Sequence, residues 1–261
     1  MVKAKGVAAK FTSYESTVPR FLKLIKFDEE IKKHNKIVLK PSLNSTVKTP
    51  VAFMEQVLQF CMTNKDPNTE IFIAEGADSG NTTELFESHG YKELAEHYGI
   101  SLIDLNEAEV ESIEGKPFMK FENVKYPKFL LDAYIISMPK LAEDAEFELS
   151  GSLPGMIGAF PASHYRGFFS SSKNKIRKWD VKYSLHDLLQ CKMPNFALVD
   201  ASEYGHIIAG QPIEVDKQSA KLAGKTSLSY ISLVEDTLRP KVETEEEKIL
   251  KEAMESNPDL K

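Results

Sequence analysis

Four short apolar runs in this chain each stop on a charged residue, and that repeated design limits what the chain can fold into. Ile37-Val38-Leu39 leads into Lys40, and Ile71-Phe72-Ile73-Ala74 into Glu75. Ile100-Ser101-Leu102-Ile103 leads into Asp104, and Phe196-Ala197-Leu198-Val199 into Asp200. Near-continuous apolar runs of this length suit strands buried on both faces, as in parallel sheets. Before the first run, Phe21, Leu24, Ile25 and Ile31 recur at helical spacing, and between the first and second so do Met54, Val57, Leu58 and Cys61. Strand alternating with helix predicts an α/β fold with a mainly parallel sheet and flanking helices.

Local signals place the elements. Gly6 to Phe11 reads as a first strand, and Pro19 suits the start of the helix after it. Thr49 reads as a cap, with Pro50 at the first helical position. Asn81 with Glu84 resembles a capping box, and glycines at 90 and 99 punctuate a short helix over Tyr91–Tyr98. Glu107 to Lys128 is charged and weakly periodic, which fits a hairpin or an excursion. Ala133 to Ser137 is another strand, leading into Met138-Pro139-Lys140. Residues 141–180 read as a long lid-like insertion, acidic first, then rich in Gly, Ser and Pro, and basic at its end. Its aromatics (Phe160, Tyr165, Phe168, Phe169 and Trp179) favour a packed lid over disorder. Leu185–Leu189 reads as helical, and Gly210 to Gly224 turns into a further helix. Residues 240–261 read as a charged C-terminal helix or tail, and the whole of 1–261 as a single α/β domain.

Chemistry is expected at the strand ends. In an open parallel sheet the carboxyl ends of the strands share one edge, and ligands bind in the crevice outside it. Lys40, Glu75, Asp104 and Asp200 fall along that edge, with Lys140 nearby. The loops behind them supply Ser42 and Asn44, then Gly76, Asp78, Ser79 and Gly80. Backbone amides of a glycine turn, together with Lys40 and Lys140, suit a phosphate or carboxylate. Glu75, Asp78 and Asp200 suit a divalent metal, and Glu75 or Asp104 a proton transfer. His164, two residues before Arg166, is the histidine to test for acid–base work. A small anionic ligand held beside a divalent ion or a general base reconciles these features. The bland alternative is that charged residues at strand ends mark where the chain meets water.

Other features exclude. A net charge of −6 argues against a sequence-independent nucleic-acid binder. Two distant cysteines, Cys61 and Cys191, cannot hold a four-cysteine iron–sulfur cluster. No run reaches the roughly 18 apolar residues of a membrane span, and no secretion signal is apparent, so neither nucleic acid nor membrane is expected as a partner and the expected compartment is the cytoplasm. Gly224-Lys225-Thr226-Ser227 looks like the end of a P-loop, but Ser219 stands where the first glycine belongs. Gly76 and Gly80 do not make a dinucleotide fingerprint.

A series of short motifs, in order and at matching spacing, resembles the family called domain of unknown function 362. These are Leu39-Lys40-Pro41 with Asn44, Thr49-Pro50, Glu75-Gly76, Gly90-Tyr91, Asp104-Leu105-Asn106, Met138-Pro139-Lys140-Leu141, Leu149-Ser150-Gly151 and Leu198-Val199-Asp200. They extend over about residues 36 to 225. The resemblance implies an α/β domain, often fused to or working beside iron–sulfur ferredoxin modules, of largely unassigned activity. This chain has no such module. It carries Ala142-Glu143-Asp144 where the family usually has Lys-Thr-His, and Pro154-Gly155 where a Lys-Asn pair is usual. Those departures imply a diverged or inactive branch, and with it a second reading: a non-catalytic partner of a redox or assembly complex, docking through the charged insertion and the acidic tail.

Overall fold

Main-chain pairing bears out the α/β expectation. The computed structural model describes residues 5–43 and 47–238. The chain enters through β1 (Val7–Lys10), α1 (Tyr14–Leu24) and α2 (Phe27–Ile31), then forms β2 (Lys36–Pro41) and α3 (Val51–Asn64). Next come β3 (Glu70–Glu75), α4 (Thr82–Ser88), α5 (Tyr91–Tyr98) and β4 (Ser101–Asp104). A hairpin of β5 (Val110–Ile113) and β6 (Val124–Pro127) precedes α6 (Lys128–Leu131) and β7 (Tyr134–Met138). Segment 141–180 holds a two-residue ladder of β8 (Glu143–Asp144) and β9 (Glu148–Leu149), a 3-10 helix over Pro154–Ala159, and α7 (Ala162–Tyr165). The rest is α8 (Val181–Cys191), β10 (Phe196–Ala201), β11 (His206–Gly210), α9 (Pro212–Leu222) and α10 (Ser229–Leu238).

One seven-stranded sheet has the order β1-β11-β10-β7-β2-β3-β4. Strands β10, β7, β2, β3 and β4 run parallel, whereas β11 lies antiparallel to both β10 and β1. Side chains alternate across it with the period of two that a pleated strand imposes. Ile37, Leu39, Ile73, Ile136 and Leu198 face a core closed by α1, α2 and α3, while Val38, Ala74, Ile135 and Val199 face one closed by α8, α9 and segment 141–180. Both faces being buried explains why the runs read as apolar without polar alternation.

Several local expectations change. Helix α1 begins five residues before Pro19, where Ser13 caps it by accepting from the Ser16 amide at 3.3 Å. Pro19 lies inside, so the helix lacks one backbone bond there. Thr49 does not cap α3; its hydroxyl donates to the Met138 carbonyl at 2.5 Å and accepts from the Ser42 amide at 2.9 Å, tying together the chain ends after β2 and β7. Strand β11 escaped the sequence pattern, because Ile207-Ile208-Ala209 directly after a glycine turn is too short a run to stand out. Phe160 and Tyr165 pack as expected, but Phe168, Phe169 and Trp179 are exposed. The charged tail, 240–261, lies outside the described residues.

A single carboxylate fastens the β5–β6 hairpin to α8. Buried Asp187 accepts from the amides of Met119 at 2.7 Å, Lys120 at 2.8 Å and Phe121 at 2.9 Å, and His186 Nδ1 lies 2.8 Å from its Oδ1. Burial pushes this carboxyl up, but His186 and the amides outweigh burial and hold it below the usual range. A carboxyl of that kind stabilises the fold above its unfolded pKa, near 3.9, and the contribution is lost as pH falls through the lower folded value. Asp187→Ala should cost about 3 kcal/mol at neutral pH in urea denaturation, since the amides lose their acceptor. The gap from the parent should narrow below about pH 4; equal stability of the two proteins at pH 7 would remove Asp187 from this role.

Candidate functional site

Adjacent parallel strands β2 and β3 place Lys40 and Glu75 together. Lys40 Nζ donates to Glu75 Oε2 at 2.7 Å and to the Gly155 carbonyl at 2.6 Å, with both side chains withdrawn from water. The other Glu75 oxygen accepts from the Gly76 amide at 2.9 Å. Burial pushes the Glu75 carboxyl up, against the opposing pull of Lys40 and that amide. Desolvating two charges costs several kcal/mol per ion unless geometry and further hydrogen bonds compensate, and here the 3-10 helix over Pro154–Ala159 supplies part of that compensation.

A second buried lysine comes from the far end of segment 141–180. Lys173 Nζ donates to the carbonyls of Gly76 at 2.8 Å and Gly158 at 3.1 Å. Burial lowers its pKa to about 7, with Glu75 pulling the other way and Lys40 adding to the fall. Main-chain contacts bring it there, a bridge between Ser79 and Ser172 and a bond from the Lys173 amide to the Asp78 carbonyl at 3.3 Å. Gly158 is required by close approach: a Cβ there would overlap the Glu75 carboxylate and lie 2.8 Å from Lys40 Nζ.

Beside this cluster lies a cavity of about 300 Å³ whose wall includes Ser42, Glu75, Gly76, Asp78, Ser79, Asp144, Glu146 and Arg177. Arg177 donates to Asp78 Oδ1 at 2.7 Å and to both oxygens of Glu146, at 2.5 and 2.8 Å. Gly80, next to Ser79, has φ +79°, a left-handed conformation that suits glycine and turns the chain into α4.

The structure gathers only part of the set expected from sequence. Lys40, Ser42, Glu75, Gly76, Asp78 and Ser79 meet at or beneath the cavity. Asp104 ends β4 in register with Glu75, but its Oδ1 accepts from the Asn106 amide at 2.8 Å and it is absent from the cavity wall. Asp200 accepts from Tyr14 at 2.9 Å and from the Ser202 amide at 3.0 Å, and Lys140 pairs with Glu203 at 2.5 Å. Burial, opposed by the Ser202 hydroxyl, raises the Tyr14 pKa to about 12. Exposed His164 is also off the wall, and Asn44 lies outside the described residues. Glu75, Asp78 and Asp200 are each held by different partners, and among the described residues no three His, Cys, Asp or Glu side chains gather around a point that could hold a metal ion. Lys173, Arg177 and Gly158 are the residues sequence reasoning missed as site members. Lys173, Lys175, Arg177 and Lys178 look alike in the chain, and only the fold turns the first inward.

The family described as a domain of unknown function (DUF362) matches residues 33–224 of the chain. This protein belongs to that family. The match takes in β2 through α9, including every residue on the cavity wall, and leaves β1, α1, α2 and α10 outside. No curated protein matches the chain. Within the matched span, Asp144 lies on the cavity wall, and Gly155 offers its carbonyl to Lys40.

Removing one partner of the buried pair should be far worse than removing both. Lys40→Met leaves Glu75 buried without its counter-ion and should cost about 3–5 kcal/mol. Lys40→Met/Glu75→Leu should recover most of that loss, both variants being compared by guanidinium denaturation. A double variant no more stable than the single one would show that the two charges are not energetically linked.

Proposed function

We propose that this chain binds a small anionic metabolite, a phosphate or a carboxylate, in the cavity over the carboxyl ends of β2 and β3. The charge arrangement there is the supporting observation. Two buried lysines, Lys40 and Lys173, accompany one buried carboxylate, Glu75, so the layer beneath the cavity carries net positive charge whenever Lys173 is protonated. Arg177 reaches the wall and holds Asp78 and the more exposed Glu146. A ligand oxyanion would displace Glu146 from the guanidinium, whose planar fork favours bidentate oxygen acceptors. Ser42 and Ser79 offer neutral donors. The acidic rim of Asp78, Asp144 and Glu146 disfavours polyanions and suits a ligand with one anionic end directed inward. A volume near 300 Å³ fits a small acid rather than a dinucleotide. Glu75, whose carboxyl burial pushes up, is the wall residue suited to exchange a proton with such a ligand.

An open cavity at this edge favours ligand binding over the partner-protein alternative, in which segment 141–180 would simply fill the crevice. Thermal shift with a panel of carboxylates and phosphates is the test, since a ligand at 100 times its dissociation constant stabilises by about 2.7 kcal/mol. The shift should vanish in Arg177→Leu. For a carboxylate whose own charge is constant across the range, affinity should fall as pH rises through about 7, where Lys173 loses its proton, and Lys173→Met should flatten that dependence. A panel with no shift, or a shift indifferent to Arg177, would end this reading.

A further inference from the structure

From Leu149 to Trp179 the sequence contains no aspartate or glutamate, although the whole chain has a net charge of −6. Of the cations in that stretch, Lys173 is buried and Arg177 is taken up by carboxylates, which leaves Arg166, Lys175 and Lys178. Directly after Arg166 and Gly167 come Phe168 and Phe169, 96% and 98% exposed. Their rings pack edge to face on one another, centroids 4.9 Å apart. Single exposed apolar residues are ordinary. Two adjacent phenylalanines projecting fully from a basic segment form an apolar tip that water solvates poorly.

Arg166 adds an independent observation. Its Nε is buried without a hydrogen-bond partner, and among the described residues its guanidinium makes no ion pair, unlike that of Arg177. It borders a cavity of about 500 Å³ shared with Ser163, Phe168 and Lys175, with Glu107 as the acidic residue on its lining. Lys175 gives one bond to the His164 carbonyl, at 2.9 Å, which leaves donors of its ammonium free. The Ser163 hydroxyl is committed to the Asn106 carbonyl at 3.3 Å, so an oxyanion seated there would meet a guanidinium without an ion pair and an ammonium, beside an apolar finger.

We propose that this tip docks on the surface of an anionic lipid bilayer, with Phe168 and Phe169 entering the headgroup–acyl boundary and a lipid phosphate at Arg166 and Lys175. Basic residues behind an apolar face are what such an interface attracts. Nucleic acid fits less well, because stacked bases need ring faces laid out as a platform, whereas these rings stand at 84° to each other and project. Docking of this kind is peripheral and needs no membrane-crossing helix, none of which occurs among the described residues. It is independent of ligand binding at the strand ends.

Flotation of the full chain with phosphatidylcholine vesicles, with and without phosphatidylglycerol, tests the proposal. Binding is expected only to the anionic vesicles, weakened about tenfold or more in Phe168→Ser/Phe169→Ser by the lost apolar insertion. Arg166→Gln should abolish the preference for phosphatidylglycerol, with circular dichroism confirming that each variant is folded. Absence of vesicle binding, equal binding to both compositions, or binding indifferent to the phenylalanines would overturn it. So would Arg166-dependent binding of inorganic phosphate or of a single-stranded oligonucleotide without vesicles, which assigns the cavity to a soluble ligand or to nucleic acid.

Discussion

The ion pair of Lys40 and Glu75 governs how the upper half of the molecule is assembled. Both groups end neighbouring parallel strands, so the sheet alone would leave them facing water. Instead the carbonyl of Gly155 completes the lysine, and the backbone at Gly158 passes too close to Glu75 for any side chain. A desolvated pair contributes little net stability, but the contacts of this one with Gly155 and Gly158 fit one arrangement of the chain above it. That arrangement is the seat of segment 141–180. Once that segment is seated, Lys173 and Arg177 follow, and the cavity is what remains between their carboxylate and carbonyl partners.

Much of the sheet could be read from the chain because burial on both faces leaves strong marks. β2, β3, β4, β7 and β10 each appear as an apolar run ending in a polar or charged group. Pairing partners leave no such mark, and nothing near Val7 indicates that it lies opposite Ala209. The site was legible to the same degree. Lys40, Glu75 and Gly76 meet because adjacent strands in register bring them together. Asp200 and Lys140 instead find partners in Tyr14, Ser202 and Glu203, which short-range patterning could not anticipate. Lys173 is the sharpest case: an ordinary basic residue in sequence, buried only because the main chain around Ser172 pairs with the loop after β3.

Membership of the domain of unknown function 362 family covers the strand-end machinery, yet the span matched does not close the fold by itself. β1 supplies the outer pairing of β11, and Tyr14 of α1 donates to Asp200 inside the matched span. At the other end, Tyr230 of α10 donates to buried Asp216 at 3.0 Å, a carboxylate that also accepts the amides of Ser152 and Leu153. Elements on either side of the family core are thus stitched into it by side-chain hydrogen bonds, Tyr14 to Asp200 and Tyr230 to Asp216.

The position of β1 also sets an order of events for the growing chain. β1 precedes the other strands of the sheet in sequence, but its strand partner among the described residues begins at His206. Pairings this distant in sequence are slow, because a long loop must close before any contact rewards it. The central parallel strands can collapse with their helices while the chain is still lengthening, as domains do during synthesis. Of the sheet's strands, the earliest in sequence is therefore the last that can be placed, because the edge it occupies exists only once β11 has paired with β10.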